Sequence, residues 1–562
     1  MNSIKKFWNL IYPGEEELFG TLKDFLLASR QRILNTSSPG IPGGNKNWFK
    51  KAVVYSLYVE FFAGDFLRLE KKLDYLQELG VDTLWILPIL KSPFMDNGFD
   101  VEDYFQVREE LLGENPSQEV FYNFVESAHK RGLRIIFDIP LNHCSAKHPF
   151  FLSASGDTRS PYRDYFIWNS SDKKYSKCRL LFQGLVNSNW EFNKEFKEYY
   201  FHRFYPFQPD FNFRNPHVFL YILKILAFWK EKGIDGFRLD AIPFLWKEDG
   251  TTCESLPMVH NIIKCLRSTL DFLGEDNLLL AEACQPPKTV VDYFGSGDEV
   301  HGAYHFPLMP QIFHALAREE SWPVHNILHE KITPPIPENC AWFVFLRCHD
   351  EFTLEMVSED ERDYLFEKYC LKPEWGFREG YGISSRLAEL LKGNPEKIIM
   401  AFSILLTLEG TPVIYYGDEL ALGNNTAYYH ECSEKMGLKD SRFLVRGPLD
   451  WAEVRKKIDT EKSLTGRVFK AVKQMLKIRK QKLSPFCSVA EFQDYDKGIL
   501  AYTRTAANGR RMLFLHNLSH RAKQLQQQIF GSACVEELLG QQRFLQNGLE
   551  LDGYESAWLS LT

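Results

Sequence analysis

From Trp48 onward, short apolar runs alternate with stretches whose apolar positions recur at helical spacing. The runs are AVVYSLYV (52–59), DTLWILP, LRIIFDIP, IDGFRLD, NLLLAEA, VHGAYHF, AWFVFLR and TPVIYYG. After the first, Leu69, Leu73 and Leu76 stand at i, i+4 and i+7, and Gly80 marks the stop. In NPSQEVFYNFVESAHKRG, Asn115 reads as the N-cap, Pro116 as the first helical residue and Gly132 as the terminator. The same grammar returns in NPHVFLYILKILAFWKEKG, ahead of IDGFRLD. Eight runs with helices between them predict an α/β fold, a (β/α)₈ TIM barrel.

The rhythm breaks between Asp138 and Asn215, in a long interval rich in Trp, Tyr and Phe. A structureless loop of that length is unusual, so the interval predicts a subdomain inserted after strand 3. Before the barrel, LFGTLKDFLLASRQRIL predicts helix and SSPGIPGGNKN a linker. Beyond residue 485, ILAYTRT, RRMLFLHNL and YESAWLSLT turn to a period of two, the mark of a C-terminal antiparallel β-domain. The expected division is an N-terminal helical segment (1–50), a barrel (51–143 and 211–484), an inserted subdomain (144–210) and a C-terminal β-sandwich (485–562).

Composition narrows the function classes. The 562 residues are 44% hydrophobic and 25% charged, ordinary for a soluble globular protein. The formal net charge of −7 leaves no basic footprint for nucleic acid or an anionic membrane. Aromatics are frequent, with 45 Phe and 25 Tyr; most would fill the core, and some would line a cleft that stacks on sugar rings. Eleven cysteines are scattered without a CxxC pair, no run is long enough to span a bilayer, and the opening MNSIKKFWNLIYPGEEELF lacks a sustained apolar core. These features predict reduced thiols and a cytoplasmic protein.

Candidate chemistry gathers where the runs end. LRIIFDIPLNH closes on Asp138, Asn142 and His143; IDGFRLD on Arg238 and Asp240; NLLLAE on Glu282; AWFVFLRCHDE on His349 and Asp350. Singly, each acid reads as a helix cap or an ion-pair member. Jointly they stand at the C-terminal rim of a barrel, where active sites of this architecture lie. Breaking an acetal needs an acid for the leaving oxygen and a carboxylate for the developing oxocarbenium carbon, about 5–5.5 Å apart in retaining enzymes.

These four segments, in order and spacing, resemble the signature regions of the family 13 glycoside hydrolases, the α-amylase clan, over roughly residues 48 to 420. The resemblance implies a retaining mechanism in which Asp240 forms a glycosyl ester, Glu282 protonates the leaving group and Asp350 binds sugar hydroxyls. It implies that Arg238 orients Asp240, that Asp138 holds Arg238, and that His143 and His349 contact the sugar. The segment SPFMDNGFDVEDY resembles the family's DNGYD loop, and DSRFLVR (440–446) the segment supplying an Arg in exo-acting members. An Asp96–Arg442 ion pair would then close the pocket floor, with Phe99 in place of the family's Tyr stacking on glucose.

Within the family, FHRFYPFQPDFNFRNP, LDAIPFLWKEDGTTCESLP, AYHFPLMP and IPENCAWFVFLRCHDEFTLEMVSEDERDY are most similar to the trehalose synthase subfamily, which interconverts maltose and trehalose. The segment after YYGDE departs from that subfamily's RTPMQW and resembles amylosucrase instead. The implied substrate is a small α-glucoside (maltose, trehalose or sucrose). The alternatives are an exo-acting α-glucosidase, a sucrose-cleaving relative, and a non-catalytic barrel scaffold, the last disfavoured by the retained acids. Asn142 and Asp210 match positions that hold Ca²⁺ in the family, but Lys247 stands where the subfamily has an acidic ligand and EFFAGDF lacks a metal-loop pattern. The expectation is that no cofactor is required and that the calcium position is empty or filled by the lysine, with bound Ca²⁺ as the alternative.

Overall fold

The computed structural model describes residues 1–35, 46–437, 439–483, 489–506, 508–530, 535–540, 544–545 and 548–561. The eight apolar runs form eight strands: β1 (Val54–Leu57), β2 (Thr83–Ile86), β3 (Arg134–Pro140), β4 (Gly236–Asp240), β5 (Leu278–Ala281), β6 (Gly302–Tyr304), β7 (Ala341–Phe345) and β8 (Thr411–Tyr415). All are parallel, each pairs with its sequence neighbours, and β8 closes on β1. Every strand residue is buried, because side chains on one face fill the barrel and those on the other meet the surrounding helices. The fit is tight at β6: a Cβ on Gly302 would lie 2.3 Å from the Phe343 ring.

The helices follow the sequence reading with two corrections. The stretch carrying Leu69, Leu73 and Leu76 is two helices, Phe66–Glu70 and Leu73–Leu79, the second ended by Gly80 at φ +106°. The helix expected to begin at Pro116 begins at Gln118, because Ser117 takes the N-cap and its hydroxyl accepts the Glu119 N–H. Asn215 does cap the helix Pro216–Glu231, accepting from His217 N–H. Most of the proposed linker lies outside the described residues.

The N-terminal segment holds two helices, Asn2–Ile11 and Glu16–Asn35. Ile4, Phe7, Trp8 and Ile11 form a buried stripe against the outer barrel helices; Trp8 stacks near Phe219, and the Tyr12 hydroxyl donates to the Phe213 carbonyl at 2.7 Å. The insertion after β3 carries the helix Pro149–Gly156 and a three-stranded antiparallel sheet.

The C-terminal part consists of two antiparallel sheets, of five and three strands. Strand Ile499–Thr505 buries both faces. Ile499 and Ala501 pack with Leu513 and Leu515 against Leu525, Leu549 and Leu551. Leu500 and Tyr502, with Phe514 and Trp558, join the barrel's own core. That contact contains buried polar atoms as well. Trp558 Nε1 donates to Ser403 Oγ at 2.7 Å, and the Thr407 and Tyr502 hydroxyls meet at 2.6 Å, both on the barrel helix Pro395–Thr407. Among the described residues no helix is long and apolar enough to cross a membrane.

Candidate active site

Parallel register places the first acids. Asp138 on β3 lies beside Arg238 on β4, and Asp240 follows two residues on, on the same face. Arg238 Nη1 donates to Asp138 Oδ1 at 2.5 Å and to Asp240 Oδ1 at 2.6 Å, while its Nη2 reaches Glu282 at the end of β5. One buried guanidinium thus touches three carboxylates from three adjacent strands. Asp138 is held from its other side by Trp85 Nε1 at 2.7 Å. After Asp240 the chain turns through Ala241 at φ +57°, a left-handed conformation that directs its N–H to Glu282 Oε2 at 3.3 Å.

This packing sets the protonation states. Burial pushes Glu282 up to about 8; Arg238 opposes the shift, and Asp240, within hydrogen-bond reach, adds to it. Burial also raises Asp240, but Arg238 and the hydrogen bond from Glu282 counter that. At neutral pH the proton therefore rests on Glu282. Asp350 goes the other way: burial would raise it, yet His349, Arg442 and Arg446 outweigh burial and hold it well below the usual range. Its Oδ1 accepts from Arg442 Nη1 at 3.1 Å and Arg446 Nη2 at 3.0 Å, and His349 Nε2 lies 2.9 Å from Oδ2.

Asp96, Phe99, His143, Asp240, Glu282, His349, Asp350 and Arg442 all line one cavity at the barrel mouth. Arg238 lies beneath it, 1% exposed. Phe99 stacks on His349, with ring centroids 5.4 Å apart and planes 19° apart. His143 Nε2 lies 3.2 Å from the Phe99 carbonyl. Arg442 Nη2 lies 3.5 Å from Asp96 Oδ1, but the same nitrogen is 2.6 Å from Asp440 Oδ2. Asp96 accepts a closer bond, 3.1 Å, from Gln208 Nε2. The floor is thus a cluster of four side chains rather than one ion pair.

Sequence reasoning passed over Gln208, Asp440 and Arg446, and also Glu351, Glu355, Arg179 and Arg378, which line the same cavity. Two signals were available: the QPD segment that contains Asp210, and the second Arg of RFLVR. The sequence alone could not show the loop carrying Arg378 returning to the site.

Asn142 and Asp210 stand apart from the cavity. Lys247 Nζ donates to Asn142 Oδ1 at 2.6 Å and pairs with Asp210 Oδ2 at 2.7 Å, with the Lys247 and Asp210 side chains almost wholly buried. Calcium takes 6–8 oxygen ligands. Here an ammonium faces the two oxygens, and among the described residues no group of three His, Cys, Asp or Glu could hold a metal. These residues do not fit a calcium ion.

The sequence profile of the α-amylase catalytic domain matches residues 32–371. The trehalose synthase/amylase TreS of Mycobacterium tuberculosis (strain CDC 1551 / Oshkosh) is 36% identical over 94% of this chain and 92% of its own length. A trehalose synthase of Pimelobacter sp. (strain R48) is 43% identical over 68% of each. Among solved structures, the isomaltulose synthase of Klebsiella sp. LX3 superposes with a TM-score of 0.70 at 22% identity, over 92% of this chain and 99% of that one.

Proposed function

The chain belongs to the α-amylase family of glycoside hydrolases, and from that premise we propose that it transfers glucosyl groups within a disaccharide, converting maltose to trehalose through a covalent intermediate on Asp240. The carrying observation is the Arg238 guanidinium, which binds Asp240 through one nitrogen and reaches Glu282, whose carboxyl burial pushes up to about 8, through the other. In this reading Glu282 gives its proton to the bridging oxygen as that bond breaks, and Asp240 Oδ attacks the anomeric carbon, forming a β-glucosyl ester. The freed glucose then presents its anomeric hydroxyl. Glu282, now ionised, takes that proton as the oxygen displaces Asp240, and the second inversion restores the α configuration. Asp350, with its charge fixed by two arginines, would bind ring hydroxyls as the ring flattens, and Phe99, His143 and His349 would face the same sugar.

Maltose and trehalose are favoured by the likeness to trehalose synthases over 94% of the chain. Plain hydrolysis is the second reading, since water in the place of the freed glucose yields two glucoses. Maltose, trehalose, sucrose and starch supplied in turn, with all products quantified, test both readings. Trehalose from maltose supports transfer, and free monosaccharides alone from every substrate sink it.

A further inference from the structure

Asp138 is the acid of the cluster that does not line the cavity. Its side chain is wholly buried, and among the described residues its carboxylate accepts from two donors: Arg238 Nη1 on Oδ1 at 2.5 Å and Trp85 Nε1 on Oδ2 at 2.7 Å. Parallel register builds this line. Trp85 on β2 stands beside Ile136 on β3, Asp138 follows two residues on along the same face, and Asp138 in turn stands beside Arg238 on β4. An indole, a carboxylate and a guanidinium from three successive strands thus form a diagonal that ends on Asp240 and Glu282.

The indole ring supports the same neighbourhood as its N–H. Its centroid lies 5.6 Å from the Arg238 guanidinium, which is equally far from the Phe99 ring. It meets His349 edge to face, with centroids 5.7 Å apart and planes at 89°, and lies 5.6 Å from the Tyr304 ring. Trp85 is 2% exposed and lies outside the cavity lining, so it cannot touch the sugar directly. It does touch Arg238 and His349, the residues that hold Asp240 and Asp350.

The N–H answers an electrostatic difficulty at Asp138. Burial raises that carboxyl, and Arg238, His349 and the bond from Trp85 oppose the rise. Glu282 and Asp240 also face it and repel its charge. The phenols of Tyr58 and Tyr304 face it too, but neither oxygen has a hydrogen-bond partner among the described residues. The indole is therefore the neutral donor that Asp138 has. Without it, Oδ2 is a buried oxygen with no partner, and the carboxylate is free to turn or to take a proton. Arg238 would then lose its anchor and settle on Asp240 and Glu282 alone.

We propose that Trp85 is a positioning residue for glucosyl transfer: by donating to Asp138 Oδ2 it fixes that carboxylate against Arg238, so that Arg238 stays aimed at Asp240 and Glu282. The inference rests on the reading of Asp240 as nucleophile and Glu282 as acid, and not on which sugar accepts the glucosyl group.

The test removes the N–H and keeps the ring. In the full chain Trp85 is replaced by benzothienylalanine, which has the shape of tryptophan with sulfur in place of N–H, and the enzyme is assayed on 4-nitrophenyl α-glucoside beside Trp85→Phe. The benzothienyl enzyme should lose roughly 10- to 100-fold in kcat, the effect of a hydrogen bond to a charged group, with KM within about twofold of wild type. The acid limb of its kcat profile should move up by about one pH unit, because a carboxylate that loses a donor binds its proton more tightly. Trp85→Phe should show both changes. A fall in kcat with the acid limb unmoved would mark Trp85 as packing alone, and an unchanged kcat would overturn the proposal outright. If Trp85→Phe does not fold, the benzothienyl enzyme decides by the same two readings. Turnover of the aryl glucoside by Asp240→Asn would instead sink the reading on which the inference rests.

Discussion

The Lys247 ammonium lies 2.7 Å from the Asp210 carboxylate and 2.6 Å from the Asn142 amide oxygen, away from solvent. Burial draws the lysine below its ordinary range against the pull of Asp210. An ammonium in this position leaves no place for calcium. A chelator should therefore leave the melting temperature unchanged, whereas loss of an ion at a hundredfold excess over its Kd would remove about 2.7 kcal/mol. Lys247→Ala strands Asp210 in the interior and should cost about 3–5 kcal/mol in a urea melt. A drop with chelator that calcium reverses would contradict this arrangement.

Asp240 and Glu282 should separate cleanly by substrate. Asp240→Asn is expected to abolish turnover of maltose and of α-glucosyl fluoride alike, with the fold intact. Glu282→Gln should lose about 10²–10⁴-fold on maltose, the usual contribution of a positioned acid. It should lose far less on the fluoride, whose leaving group needs no proton. Parallel losses for both variants on both substrates would argue against the assigned roles.

The pH profile should carry the mark of the buried acid. With Glu282 pushed up to about 8, kcat/KM should fall as pH rises through that value, and its acid limb should lie above the ordinary range of Asp because Asp240 is raised. Stability follows the same sign. A carboxyl raised by folding binds its proton more tightly in the native state, so its favourable contribution is complete below the ordinary 4.5 and is lost as pH climbs through about 8. Urea midpoints of the wild type should decline across that window, and Glu282→Gln should flatten the decline. Equal declines in both proteins would remove Glu282 as the cause.

Asp96, held by Gln208 and Arg442, should confine action to non-reducing ends. Starch viscosity should stay constant while small sugars are released; rapid thinning would show an open cleft. Asp96→Ala removes hydrogen bonds to a charged group, each about 1.5–3 kcal/mol, so kcat/KM on maltose should fall roughly 10- to 100-fold. Arg442 keeps Asp440 in the variant, so the fold should survive.

The barrel was legible because its strands are continuous apolar runs, each followed by a helix. The convergence of Asp240, Glu282 and Asp350 was legible for the same reason, since in this architecture the end of a strand is a place in space. The helix start at Gln118 was not, because Ser117 and Asn115 are both good caps and the backbone chooses between them. Nor were the side chains that reach the cavity from loops. Arg446 meets Asp350 across 96 positions and Gln208 meets Asp96 across 112, and no local periodicity encodes such pairs. Arg378 was hidden for a further reason. Its left-handed backbone contradicts the residue type, so a propensity reading points away from the turn.

The seam between the barrel helix Pro395–Thr407 and the C-terminal sheets is both apolar and hydrogen-bonded, through Trp558 to Ser403 and Tyr502 to Thr407. Opening it would strip a tryptophan and a tyrosine of their packing and leave hydroxyls without partners on a helix that also walls the barrel. The two halves are therefore expected to melt as one cooperative unit, in a single calorimetric transition. A chain cut at residue 483 would bare that helix face and aggregate rather than survive as a free-standing barrel.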